Sequence, residues 1–153
     1  MSWFKKNKKG RAQKSAVSAK GDGGHMDEMV RMLVAAPEDE RVSILNDRLA
    51  VFADLEPGPR EESMRGMLVA ALKLPDDEYQ KIAAARFKTL QSFPSNTQTM
   101  LMKSHAAVVN ALPGDQRAKE MTAMNKVVSG LPEDKRAQTM KMMQNLGLMD
   151  GAA

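Results

Sequence analysis

Six of the seven prolines in this 153-residue chain are almost evenly spaced: Pro37, Pro57, Pro75, Pro94, Pro113 and Pro132 follow one another after 20, 18, 19, 19 and 19 residues. The flanking sequence repeats with them, as Ala36-Pro-Glu-Asp-Glu-Arg41, Leu74-Pro-Asp-Asp-Glu78, Leu112-Pro-Gly-Asp-Gln-Arg117 and Leu131-Pro-Glu-Asp-Lys-Arg136. Proline lacks an N–H and biases the residue before it away from helix, so each one ends a helix and is welcome in the first turn of the next. The acids that follow sit where the helix dipole is positive, and Ser95 with Gln98 has the spacing of a capping box.

Between the prolines, apolar residues recur in steps of three and four: Val42, Leu45, Leu49, Phe52 and Leu55; Met64, Leu68 and Ala71; Leu101, His105, Val108 and Leu112; Ala118, Met121, Met124, Val128 and Leu131. That spacing gives each helix one buried stripe and predicts helices near 26–35, 39–54, 60–73, 77–92, 96–111, 115–130 and 133–146. Isolated helices shorter than about 12–15 residues barely form in water, so each stripe needs a neighbour to cover it. The expected fold is all-α: tandem single-helix repeats of about nineteen residues. Consecutive helices are expected to lie side by side, as a short right-handed superhelix or a compact bundle.

Composition supports helices, since only 4% of residues are aromatic and fourteen are methionine. The absence of cysteine removes disulfides and thiolate chemistry. The basic N-terminus has no apolar stretch behind it, and no later run approaches the roughly 18 apolar residues of a spanning helix. These features lead us to expect a cytoplasmic protein, peripheral at the inner membrane face if it meets a membrane.

The net charge of +4 is unevenly divided. Residues 1–24 hold seven Lys/Arg against Asp22 alone, leaving sixteen bases and eighteen acids for the rest. The reading is a disordered basic tail over 1–24, a glycine hinge at Gly21-Asp-Gly-Gly24, and a helical-repeat domain over 25–150. Trp3 and Phe4, followed by Lys5, Lys6, Lys8, Lys9 and Arg11, have the composition of a peripheral membrane contact, each base being worth about 1 kcal/mol near an anionic leaflet. Ser2 offers no myristoylation site. The same residues suit nucleic-acid phosphates, with the two rings stacking on bases.

Methionine is the second candidate feature. Met121, Met124, Met140 and Met143 form a candidate partner groove if exposed, because Met-rich surfaces adapt to varied partners; otherwise they are core. The run Met140-Lys-Met-Met143 resembles a Cu(I) cluster, but residues two apart on a helix point about 200° apart. His105 lies on an apolar stripe and reads as a satisfied core imidazole, and His25 as solvated. Two separated histidines make no zinc motif. The acidic turns at Glu38–Glu40, Asp76–Glu78 and Glu133–Asp134 suit Mg²⁺ chemically, yet their place at helix starts explains them without metal. No nucleophile–base arrangement is legible, so we expect no enzyme and no cofactor.

Short single helices joined by Leu-Pro-acidic-x-Arg turns, from Pro37 to Leu146, resemble the cytosolic N-terminal domain of the magnesium transporter family and the helical modules of flagellar motor switch proteins. The resemblance implies a regulatory or partner-binding superhelix, with acidic residues near magnesium in the transporter case. The expectation is a non-enzymatic interaction adaptor or scaffold with a protein partner, tethered by its tail to an anionic membrane surface. A nucleic-acid-associated regulator and a metal-responsive (Mg²⁺ or Cu(I)) sensor are the alternatives.

Overall fold

The residue that opens each repeat has the extended backbone proline prefers. The computed structural model describes residues 22–148, with side chains from His25 onward. Its helices are α1 (Asp22–Ala35), α2 (Glu38–Ala53), α3 (Pro57–Leu72), α4 (Asp76–Leu90), α5 (Ser95–Asn110), α6 (Gly114–Ser129) and α7 (Glu133–Asn145), with no strand among the described residues. The N-cap positions of α2 to α7 are Pro37, Glu56, Pro75, Pro94, Pro113 and Pro132, each 19 residues after the last, at φ −56 to −67° and ψ 153 to 157°. The uneven proline spacing therefore hides an even structural one. Glu56 takes the slot in the third helix, and Pro57 moves into the first helical position, where a missing N–H leaves nothing unsatisfied.

The fourth residue after each N-cap returns its backbone N–H to the N-cap carbonyl, at 2.8–2.9 Å for Arg41, Arg60, Tyr79, Gln98, Arg117 and Arg136. Three of the six side chains at this position also tie adjacent helices together. Arg41 donates to the carbonyls of Leu33, Val34 and Ala36 at 2.9, 3.1 and 2.7 Å. Arg60 donates to Phe52 O at 3.1 Å, Leu55 O at 2.8 Å and Ser104 Oγ at 3.1 Å. Gln98 donates to Gln91 O and Phe93 O. Each fastens the end of the preceding helix, where carbonyls lack intrahelical partners. This corrects the capping-box reading: Pro94 is the N-cap, Ser95 lies inside the helix, and Gln98 reaches back to the previous turn.

The other three positions differ: neither Arg117 nor Arg136 makes such a bond, Arg117 Nε being buried without a partner, and the Tyr79 hydroxyl is used elsewhere. The carbonyls it leaves at the end of α3 are taken by Lys119 of α6, whose Nζ lies 3.0 Å from Leu72 O and 2.5 Å from Leu74 O. A cation from another repeat thus replaces the local clamp.

Packing differs from the side-by-side expectation. Each of α1 to α4 meets the helix two places on far more extensively than the next one. Glu38 pairs with Lys88, Val42 O accepts from Thr89, and Asn46 meets Ser92, so α2 and α4 run parallel. A short clamped turn reverses the chain, and full-length contact then falls to the second neighbour. One apolar cluster runs from Val30 and Leu33 through Leu68, Ile82 and Val109 to Met143 and Leu148. α7 closes on Gly147 at φ 75°, with Leu148 N–H donating to Met143 O and Gly147 N–H to Gln144 O. α1 starts at Asp22, so Gly23 and Gly24 are helical and not the predicted hinge.

Candidate functional site

Three ionisable residues lie on the core stripes of their helices: Arg86 of α4 between Ile82 and Leu90, His105 of α5 between Leu101 and Val108, and Glu120 of α6 four residues before Met124. The fold brings them together. Glu120 is 1% exposed and sits at the centre. Its Oε2 accepts from Arg86 Nη2 at 2.7 Å and lies 2.8 Å from His105 Nε2, and its Oε1 accepts from the Tyr79 hydroxyl. A carboxylate only accepts, so His105 carries a proton on Nε2. Arg86 Nη2 also lies 3.1 Å from Met124 Sδ.

Electrostatics fixes the charges. Burial opposes ionisation of Glu120, but the Arg86 charge, and His105 after it, outweigh burial and hold the carboxyl down at about 2. Burial, opposed by Arg86 and assisted by the Glu120 charge, pushes the Tyr79 phenol well above its usual range. Arg86 is held cationic: desolvation works against its charge, and Glu120 more than compensates. The pair is therefore Glu120⁻ with Arg86⁺ at any ordinary pH.

Tyr, Glu, His and Arg are the components of many acid–base sites, but here each carboxylate oxygen is already committed. The adjacent hollow, about 30 Å³ and lined by Leu49, Met64, Phe87 and Met102 beside Arg86 and His105, has room for about one water. What this arrangement can do is lock α4, α5 and α6 together. Two shallow outer grooves are larger: about 360 Å³ between α3 and α5, around Arg60, Glu61, Asn96 and Lys103, and about 250 Å³ between α4 and α6, around Asp76, Gln80, Asp115 and Lys126.

Of the sites expected from sequence, Trp3, Phe4, Lys5, Lys6, Lys8, Lys9 and Arg11 lie outside the described residues. The methionine groove is corrected. Met121, Met124 and Met143 are 8%, 6% and 1% exposed and Met140 is partly buried, because these thioethers fill the interior of a core with few aromatics. Among the described residues the exposed methionine is Met32, at 66%. His105 is buried and paired as its stripe position implied. No three acidic or histidine side chains among the described residues converge to hold a metal ion. No described helix is long and apolar enough to cross a membrane.

Sequence reasoning missed Tyr79, Arg86, Lys119 and Glu120. The available signal was placement: a charge on a core stripe must find a partner. Comparison with protein-family models, with characterised proteins and with solved structures finds no match.

Proposed function

We propose that this chain is a non-enzymatic interaction adaptor, a short right-handed superhelix held at an anionic membrane surface by its basic N-terminal segment. The packing of each helix on its second neighbour supports a stack over a closed bundle. The Glu120 cluster supports a non-catalytic reading, since its polar groups are consumed in joining three helices. The protein partner would meet the outer grooves and not the buried methionines.

One observation carries the tether: seven Lys/Arg with Trp3 and Phe4 are gathered in residues 1–24, while the remaining residues carry two more acids than bases. Such segregation places attraction for anionic lipid in the segment and leaves the body weakly repelled. A cytoplasmic protein meeting the inner leaflet fits this division.

Co-sedimentation with phosphatidylserine-containing vesicles tests the tether. Full-length protein is expected to pellet with them and not with phosphatidylcholine vesicles, to be released by salt, and to lose binding when residues 1–20 are deleted. Unchanged binding by the deletion variant contradicts the proposal.

A further inference from the structure

Among the described residues, the exposed large apolar side chains lie on the first two helices. On α2, Glu38 and Asn46 face α4 through Lys88 and Ser92. At 100° per residue, Ile44 and Val51 lie roughly 160–180° round from that flank. On α1, Asp27 faces α3 through Lys73, and Met29 and Met32 lie roughly 140–160° away. Both sets therefore point to the side where an earlier helix of the stack would sit. Met32 is 66% and Val51 51% exposed, and Met29 and Ile44 are half-buried. Terminal repeats of a stack ordinarily present a polar outer face, and here Met32 and Val51 interrupt it.

What precedes α1 in the chain is the segment that carries Trp3, Phe4 and the seven bases. It enters at Asp22, the start of the helix whose free flank holds Met29 and Met32. The 19 residues from Trp3 to Asp22 can reach at most about 65 Å, well beyond the roughly 24 Å length of α2. Exposed Glu40 and Asp47 lie roughly 140–160° round from the α4 flank, beside Ile44 and Val51 with half-buried Arg48 at their edge, and complement the lysines. Methionine sulfur also makes favourable contacts with aromatic rings.

We propose that Trp3 and Phe4 dock on the Met32/Val51 end face, so that the segment has two competing positions, its own body and anionic lipid. The regulatory half of this proposal rests on the membrane reading above; the docking itself does not. Tethering gives the intramolecular site an effective concentration in the millimolar range for short flexible linkers. Lipid must displace the rings from the body, and the end face is uncovered when the protein reaches the membrane.

Trp3 is the sole tryptophan, so its fluorescence reports directly on the full chain. In lipid-free buffer, Trp3 is expected to emit at shorter wavelength and to resist acrylamide quenching several-fold better than in the double variant Met32→Gln, Val51→Gln. Both positions are exposed, so circular dichroism should not change. The double variant is further expected to bind anionic vesicles several-fold more tightly. Equal quenching of Trp3 in both proteins overturns the docking, as does protection that disappears on dilution, which would mean a second copy covers the face. Protection without vesicle binding would instead leave the docking standing and defeat the membrane reading.

Discussion

Replacing Glu120 with alanine is expected to destabilise the fold by about 3–5 kcal/mol at neutral pH, the usual penalty for removing one partner of a buried ion pair. Arg86 is held cationic by Glu120, and its side chain is only 18% exposed, so the variant strands a charge among Leu90, Met102 and Met124. Tyr79 and His105 lose their acceptor in the same step. With domain stabilities of about 5–15 kcal/mol, a loss of this size removes much of the margin. Urea unfolding followed by circular dichroism measures it. A midpoint within error of wild type would mean that the cluster contributes no net stability.

The second large effect is expected at a clamp. Arg60 is 6% exposed and joins three elements: the end of α2 through Phe52 O and Leu55 O, its own helix α3, and α5 through Ser104 Oγ. Arg60→Leu keeps much of the volume but leaves Leu55 O without its donor and removes the charged partner of Phe52 O and Ser104 Oγ, and hydrogen bonds to charged groups are worth about 1.5–3 kcal/mol each. We expect a loss of about 3 kcal/mol, partly restored by lysine, which supplies charge without the planar fork. Arg65→Leu, at an exposed position of the same helix, is the control and should stay within about 0.5 kcal/mol of wild type. Equal losses at Arg60 and Arg65 would show that the clamp geometry is incidental.

Much of this helical frame was legible because proline and apolar spacing act locally. The seven predicted helices agree with the observed ones to within a few residues, the largest difference being the earlier start of α1. Contacts across repeats were not legible. Nothing near Tyr79 in sequence announces that its hydroxyl meets Glu120, 41 residues on, or that Lys119 then completes the end of α3. The clamp at Arg41, Arg60 and Gln98 shows the same limit. Arg41 was visible as part of the motif, yet its targets are carbonyls of the preceding helix, which appear only when the turn is built, and the motif's Arg117 and Arg136 make no such bond. Methionine failed as a surface signal for a different reason: with few aromatics, the interior recruits thioethers as filler, and burial decides their role.

The central claim is that the polar cluster inside the helical fold is structural, with an ionised Glu120 as its keystone. Its direct test is stability against pH for wild type and Glu120→Gln. The folded carboxyl titrates at about 2, below its ordinary value of 4.5, so its stabilising contribution is fully present above pH 4.5 and disappears as pH falls toward 2. At about 1.4 kcal/mol per unit, that contribution amounts to about 3 kcal/mol. Wild type is predicted to lose this much across that window, while Glu120→Gln starts lower at neutral pH and lacks that part of the acid decline. Parallel acid curves for the two proteins would contradict the account.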